Sequence, residues 1–201
     1  MATLTLPSSF STNNFKYNRN GGSWDDPYGS PNSIMVGRTG DGTIYRSYIY
    51  VPAKSDLNGA VINGVALKLT RQDSYSNTAT IAVGIMNSLP GNNVSTSDFT
   101  TTVSSSFAIA RNSTVTLNIT ADQWGDPTKD KYIVLLYVSN YCELLANTST
   151  YPTVTIDFDL GVVYIGNGTT YDKYQVFIGN GTKWEQYIPY IGNGSSWDRC
   201  G

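Results

Sequence analysis

Two pairs of aspartates are the acidic groups whose spacing could support chemistry. Asp25 and Asp26 are adjacent in a stretch rich in Gly, Asn and Ser, and loop carboxylates of this kind supply the oxygen ligands that calcium prefers. Asp157 and Asp159 alternate along a predicted strand, so they share a face and could form the carboxylate pair of a glycoside hydrolase. The simpler interpretations are a solvated turn for the first pair and the solvent face of an edge strand for the second. No cofactor is expected apart from this calcium ion.

Aromatic side chains are the second group of candidates. An exposed aromatic ring can cover the apolar C–H face of a sugar. The candidates for such glycan contact are Trp24, Tyr28, Tyr48 and Tyr50. Tyr48 and Tyr50 lie on one face of a predicted strand and Ile49 and Val51 on the other, so one of these sets faces the core. Partial burial is the alternative for each tyrosine.

The residue types that are missing limit catalysis. The 201 residues contain no histidine and only two glutamates, Glu143 and Glu185. Ser-His-Asp and Cys-His catalysis and His-ligated zinc are therefore excluded, and we expect no enzymatic activity. The two cysteines, Cys142 and Cys200, are too few for a thiolate zinc site. Both a disulfide between them and two free thiols are compatible with the sequence.

Charge and hydropathy exclude further classes of partner. Charged residues form 14% of the chain, the net charge is −2, and Lys and Arg are not clustered. Nucleic-acid binding through phosphates needs a basic patch, so no nucleic-acid partner is expected. No run of about 18 apolar residues is present to cross a membrane as a helix. The N-terminal MATLTLPSSFSTNN lacks the basic and apolar regions of a signal peptide, which predicts synthesis in a cytoplasm.

Short alternating runs in residues 1–160 predict an all-β domain of eight or nine strands with the spacing of a β-sandwich. The runs lie at 2–6, 33–37, 44–51, 61–69, 80–86, 114–119, 132–138 and 154–160. The run at 132–138 is almost continuously apolar, which predicts a central strand buried on both faces. Residues 7–33 and 89–106 are interpreted as polar loops, and Thr120 as the cap of one helical turn.

Residues 161–201 form a separate region built from one 13-residue unit written three times. The copies read VVYIGNGTTYDKY, QVFIGNGTKWEQY and IPYIGNGSSWDRC. Asn-Gly between apolar runs predicts a two-residue type I′ turn in each copy. The predicted turn residues are Asn167, Gly168, Asn180, Gly181, Asn193 and Gly194. Such turns would place aromatic residues directly opposite each other, in the pairs Tyr164–Tyr171, Phe177–Trp184 and Tyr190–Trp197.

The path of the chain between the copies has two interpretations. One strand from Thr182 to Ile191 would make a meander, whereas a bend at Pro189 and at the equivalent positions would make separate hairpins. A region of about 40 residues is short of hydrophobic core. We therefore expect it to pack against the preceding domain or against the same region of other subunits. The repeated aromatic residues either form ligand platforms or hold the hairpins together.

Three runs in the first 160 residues carry a resemblance to a known family. They are Tyr28-Gly-Ser-Pro-Asn-Ser-Ile-Met-Val-Gly-Arg, Arg46-Ser-Tyr-Ile-Tyr-Val and Gly59-Ala-Val-Ile-Asn-Gly-Val-Ala-Leu-Lys-Leu. Residues 10–160 thereby resemble the DNRLRE-type β-sandwich modules. This resemblance implies a jelly-roll-like, carbohydrate-module-like domain, as found in secreted bacterial proteins and phage structural proteins.

The C-terminal units carry a second resemblance. Residues 162–200 are similar to the IGNGSxW and YNGSxW hairpin repeats of phage virion proteins. The two resemblances imply a non-enzymatic bacteriophage virion structural protein, such as a capsid decoration protein, a head or tail fibre, or a tail-associated protein. The implied partners are other capsid or tail proteins and further copies of the chain, with a trimer favoured. The alternative is a carbohydrate-binding module that attaches to host or mucosal glycans.

Overall fold

The protein folds as an all-β sandwich. The computed structural model describes residues 2–28 and 32–159, together with the backbone of five strands within 162–199. Two antiparallel sheets pack against each other in the first of these regions, and the C-terminal strands follow. The fold class predicted from the sequence is confirmed.

The smaller sheet of the sandwich contains four strands. They are β1 (Ala2–Leu6), β5 (Val61–Thr70), β8 (Thr114–Ile119) and β11 (Thr153–Asp159), in the order β1-β11-β5-β8. The larger sheet contains β2 (Phe15–Arg19), β3 (Ser33–Arg38), β4 (Ile44–Val51), β6 (Ala79–Met86), β7 (Thr101–Ile109), β9 (Lys131–Ser139) and β10 (Cys142–Leu145). Its order is β10-β3-β4-β9-β6-β7, and β2 pairs with β4. The strand β9 lies between β4 and β6, so its predicted central position is confirmed. Residues 133–136 are buried, but Tyr137 and Val138 are exposed, so burial on both faces was wrong for the end of the run.

Alternation along the strands places the main core between the two sheets. In β4, Ile49 and Val51 are buried there, and in β5 Leu67 and Leu69 meet them from the smaller sheet. A side chain of this size stabilises the fold by roughly 1.5–3 kcal/mol when it leaves water. All members of this core that the structure describes lie between Leu4 and Phe158, so the sandwich has a hydrophobic core of its own.

Helical structure is limited to short turns. They are α1 (Ala121–Trp124) and three 3₁₀ turns at Thr12–Asn14, Ser55–Leu57 and Thr96–Asp98. The Thr120 hydroxyl accepts a hydrogen bond from the Gln123 N–H, and the Gln123 side chain accepts one from the Thr120 N–H. This reciprocal arrangement is a capping box and confirms the predicted cap. The helix ends at Gly125, whose φ of 67° is easily adopted only by glycine.

Eleven strands lie between Ala2 and Asp159, more than the eight or nine predicted. The polar interpretation of 7–33 missed β2, and that of 89–106 missed the start of β7. Pairing and not burial decides β7, because this edge strand pairs only with β6 among the described strands and carries three serines in succession. In β2 the buried residues Phe15 and Asn18 do not alternate, so the sequence shows no strand period. The four-residue strand β10 is too short to show a period.

The first two C-terminal units form the predicted meander, and the path between the second and third units stays a prediction. Their strands are β12 (Val162–Gly166), β13 (Tyr171–Gly179), β14 (Trp184–Tyr187), β15 (Tyr190–Gly192) and β16 (Trp197–Arg199). The order β12-β13-β14 is a three-stranded meander, in which β13 runs through the boundary between the first two units. The described strands β15 and β16 of the third unit pair with each other, and residues 188 and 189 between β14 and β15 lie outside the described residues.

The predicted register of these hairpins is wrong by two residues in all three units. Tyr164 pairs with Lys173, not with Tyr171, and the same shift pairs Phe177 with Gln186 and Tyr190 with Arg199. The closing pairs are Gly166–Tyr171, Gly179–Trp184 and Gly192–Trp197. An aromatic residue opposite a glycine compensates for the missing side chain in a sheet, which accounts for a register that recurs. The predicted turn residues Asn167, Gly168, Asn180, Gly181, Asn193 and Gly194 lie outside the described residues.

Candidate functional site

The aromatic residues predicted from the sequence lie mainly on the outer face of the larger sheet. The Tyr48 ring lies 4.7 Å from the Trp24 ring, edge to face, and Tyr48 is 6% exposed. Around them pack Ala82, Val94, Val134 and Leu136. Since Ile49 and Val51 face the main core, Tyr48 and Tyr50 face this second cluster. Burial leaves Tyr48 without a free face for a sugar, so its predicted role as a glycan platform is wrong.

Tyr28 and Tyr50 are more accessible but do not converge on a shared site. Tyr28 is 66% exposed and its backbone pairs with Ser33. The Tyr50 hydroxyl donates to Asp130 at 3.1 Å, and its ring lies 5.1 Å from that of Tyr132. Glycan contact at these two tyrosines stays a prediction.

The two aspartate pairs differ in their surroundings. Asp26 forms an ion pair with Lys16, and the Asp25 backbone pairs with Tyr17. In the described part of the chain no three His, Cys, Asp or Glu side chains gather as a metal site would require, so calcium stays a prediction. Asp157 and Asp159 lie on β11, which pairs with strands on both sides. The edge-strand interpretation of this pair is therefore wrong.

A different set of residues forms an open cavity of about 350 Å³ at one end of the sandwich. The cavity is lined by Arg38, Thr39, Gly40, Tyr75, Asn77, Tyr137, Asn140 and Tyr141. Three segments supply them: the β3–β4 turn, the loop between β5 and β6, and the end of β9 with the turn that follows. Loops that connect the strands of a rigid scaffold are where binding residues concentrate.

Tyrosine rings form the apolar part of this cavity. Tyr75 is 46% exposed and Tyr137 37% exposed. The Tyr75 ring lies edge to face on Tyr141 at 4.9 Å, and Tyr141 lies in the same way on Tyr45 at 5.5 Å. Burial of Tyr141 and its hydrogen bond of 3.0 Å to Glu143 raise the pKa of the Tyr141 phenol. Tyr141 therefore supports the exposed ring of Tyr75 from below as a fixed, neutral group.

A buried arginine holds the loop that carries Tyr75 and Asn77. The Arg71 guanidinium donates to the backbone oxygens of Tyr75 at 3.1 Å and of Asn77 at 2.9 Å, and also to that of Ile109 at 2.8 Å. Five N–H donors in a rigid fork allow one arginine to bind several acceptors at once. Two residues of the cavity are thus fixed through their backbone by one side chain with no solvent exposure.

The carboxylate of Asp73 completes this support. It binds Arg71 through both oxygens, at 2.7 and 3.0 Å, and both side chains are at most 1% exposed. The same carboxylate accepts hydrogen bonds from the backbone N–H groups of Tyr75 and Glu143, at 2.9 and 3.0 Å. Because Glu143 belongs to β10, Asp73 ties the loop between β5 and β6 to the edge of the larger sheet. A buried charge pair with further hydrogen bonds of this kind is costly to disrupt.

The β3–β4 turn is held by its own polar network. The Asp41 carboxylate accepts hydrogen bonds from the Thr39 hydroxyl and from the Thr43 backbone N–H at 3.0 Å. These bonds favour the ionised form and lower the pKa of Asp41 to about 2. The Thr39 N–H donates to the Thr43 carbonyl at 3.0 Å, closing the turn. The turn therefore presents Arg38 and Thr39 in a defined conformation.

The turn after β9 requires a close approach of two backbones. Asn140 has a φ of 56° and its side-chain amide donates to the Thr78 carbonyl at 2.7 Å. Gly37 has a φ of 130°, and a Cβ atom there would lie 2.4 Å from the Asn140 carbonyl oxygen and from Tyr141 Cα. Only glycine fits this position. The turn after β9, which lines one side of the cavity, therefore packs directly on β3.

The cavity lies at one end of the sandwich, and the chain leaves the sandwich toward the C-terminal units at the opposite end. In β5, Val61 pairs with Asp159, the last residue of β11, whereas Thr70 is followed at once by Arg71 and the cavity loop. Ten residues of strand separate these ends by roughly 30 Å at about 3.3 Å per residue. The first C-terminal strand, β12, begins three residues after Asp159, so it starts close to the end that is remote from the cavity.

The cavity residues offer groups suited to binding. The described lining combines three tyrosines, two amides, one threonine hydroxyl and one guanidinium, and contains no carboxylate or thiol. Rings with converging hydrogen-bonding groups are the usual lining of a small-molecule site.

Comparison with known proteins adds no identification: neither the family models nor the curated proteins contain a match to this chain. The resemblance to DNRLRE-type modules and to phage hairpin repeats therefore stays a prediction. Among the described residues, no helix is long and apolar enough to cross a membrane.

Sequence reasoning missed the cavity for a physical reason. Tyr75 lies in the short loop Asp73-Ser-Tyr-Ser-Asn77, where a tyrosine between serines is a weak signal of an exposed aromatic. The signal gains meaning only when the strands bring Tyr137 and Asn140 to the same end. An arginine directly after a strand gives no sign in the sequence that it will be buried.

Proposed function

We propose that this chain is a non-enzymatic structural protein of a bacteriophage virion, which attaches by its C-terminal units and presents a carbohydrate-binding end. The observation that carries the proposal is the placement of the tyrosine cavity at one end of the sandwich and the exit to the repeated units at the other. A protein that must both join a particle and contact a ligand needs these two surfaces apart.

The strand arrangement of the repeated units supports the attachment role. A region of about 40 residues is short of hydrophobic core, and small sheets are marginal in water without a partner. Among the described strands, β12, β14, β15 and β16 each pair on one side only, which leaves an edge for pairing with another chain. We infer that the partner is another copy of the chain or another virion protein.

The cavity supports the carbohydrate-binding role. Tyr75 and Tyr137 offer exposed rings for the C–H faces of a sugar. The Asn77 side chain forms no hydrogen bond with any described residue, so its amide is available to sugar hydroxyl groups. Because the loops are already fixed by Arg71 and Asp41, a ligand would meet a site that needs little ordering, which favours affinity.

Glycan-array binding by the full chain, followed by titration calorimetry on the sugars that bind, tests the proposal. Tyr75→Ala should weaken binding by roughly five- to thirtyfold, since loss of one ring contact costs roughly 1–2 kcal/mol. Val61→Ala is the control, because Val61 is an exposed apolar residue at the end of the sandwich remote from the cavity, and this variant should bind as the unaltered chain does. No glycan bound, or equal loss in both variants, would contradict a carbohydrate site in the cavity.

A further inference from the structure

One charged side chain borders the cavity. Among its described lining residues Arg38 alone carries a formal charge, and it is exposed. No described residue forms an ion pair or hydrogen bond with its guanidinium, whereas Lys16 and Arg71 both have carboxylate partners. Arg38 is therefore a cation beside the tyrosine rings without an anionic partner in the described part of the chain.

The acidic groups nearest to this end of the sandwich already have partners. The Asp41 carboxylate, in the turn that follows Arg38, accepts hydrogen bonds from Thr39 and Thr43. Asp73 binds Arg71 through both oxygens. The Glu143 carboxylate accepts a hydrogen bond from the Tyr141 hydroxyl. None of these three carboxylates forms a described hydrogen bond or ion pair with Arg38, so the N–H donors of its guanidinium are available to an anion from outside.

We propose that the cavity selects glycans that carry an anionic group, with the anion bound by Arg38 and the sugar rings against Tyr75 and Tyr137. The inference rests on the carbohydrate-binding function proposed above. A guanidinium presents paired N–H donors that match the oxygens of a carboxylate or a sulfate, which an amide cannot do as strongly. The neutral Asn77 would then bind hydroxyl groups, leaving charge selection to Arg38.

Three matched trisaccharides separate the anion from the sugar ring. The probes are trigalacturonic acid, its methyl ester, and a sulfated galactose trimer, each titrated into the full chain by calorimetry at low and at moderate salt. We expect the two anionic probes to bind about tenfold more tightly than the ester, because a charge-assisted hydrogen bond exceeds a neutral one by roughly that much. The preference should shrink as salt rises. Comparison of the carboxylate and sulfate probes identifies which anion the site prefers.

Variants of Arg38 and Tyr75 show which residue causes the preference for anionic probes. Arg38→Gln should bind the acid and the ester equally, while Arg38→Lys should keep part of the preference because the charge remains. Tyr75→Ala should weaken all three probes together. Unaltered thermal unfolding of the variants is the control for folding, and it is expected at an exposed position such as Arg38.

The outcomes separate the two proposals. Equal affinity of the unaltered chain for acid and ester, or an anion preference that survives in Arg38→Gln, would overturn anion selection and leave carbohydrate binding intact. Binding of none of these probes, together with an empty glycan array, would overturn both.

Discussion

The Arg71 guanidinium and the Asp73 carboxylate bind each other through two parallel hydrogen bonds of 2.7 and 3.0 Å in the interior of the protein. Their remaining hydrogen-bonding groups all go to the backbone, at Tyr75, Asn77, Ile109 and Glu143. The pair is only two residues apart in sequence, yet it joins β5, β7 and β10. It therefore acts as the support of the cavity loop.

Removing the arginine side of this pair should unfold the loop and weaken the sandwich. Arg71→Met leaves Asp73 buried without its cation, and breaking a buried pair in this way costs about 3–5 kcal/mol. The measurement is urea denaturation followed by tryptophan fluorescence. Arg111→Met is the matched control, since Arg111 donates to the Asp73 backbone oxygen from an exposed position and should cost less than about 1 kcal/mol. Similar free energies of unfolding for the two variants would contradict a supporting role for Arg71.

Gly37 in β3 and Gly40 in the turn that follows should differ sharply in their tolerance of a methyl group. Gly37→Ala places Cβ 2.4 Å from the Asn140 oxygen at a φ of 130°, so we expect a loss of about 1–3 kcal/mol. Gly40→Ala meets no atom within 4 Å and should leave the free energy of unfolding nearly unchanged. Thermal unfolding of both variants checks this, and an equally stable Gly37→Ala protein would refute the close packing of β3 on the turn after β9.

Acid should destabilise the β3–β4 turn. The folded-state pKa of Asp41 is about 2, below the ordinary value of 3.8, so its stabilising effect is present above the unfolded-state pKa. The effect is lost as the pH falls through the range between these values, because the unfolded state then binds the proton first. Asp41→Asn should flatten this part of the pH dependence of the melting temperature. Asp56→Asn controls for loss of a surface charge, and a profile unchanged in Asp41→Asn would contradict the hydrogen-bond network.

Cys142 should be unreactive in the native protein. It is a free, fully buried thiol, and burial raises its pKa to about 12, so little thiolate is present near neutral pH. In a Cys200→Ser variant, a thiol reagent at pH 8 should label no site in buffer and one site in denaturant. Rapid labelling of the folded variant would show that Cys142 is accessible.

Alternation and turn chemistry were sufficient to predict the sandwich. The run at 44–51 became β4 with its predicted ends, and Thr120 caps α1 as expected. Strands whose stability comes from pairing with a neighbour carried no such pattern. Thus β7, with its run of serines at an edge, was taken for a loop.

Site prediction failed where it required long-range packing. Tyr48 satisfies the pattern of an exposed platform, but Trp24 covers it from a loop that precedes it by 24 residues. Tyr75, Tyr137 and Arg38 come from three separate segments, and no local pattern joins them. The hairpin register likewise depended on which residue faces glycine, a cross-strand relation that the Asn-Gly signal alone does not contain.

The division between a binding end and an attachment end is tested most directly by the solution mass. Light scattering after size exclusion would compare the full chain with a chain that ends at Leu160, whose described core lies within residues 4–158. We predict an oligomer for the full chain and a folded monomer for the shortened one. An oligomer of the same order in both would contradict assembly through the repeated units.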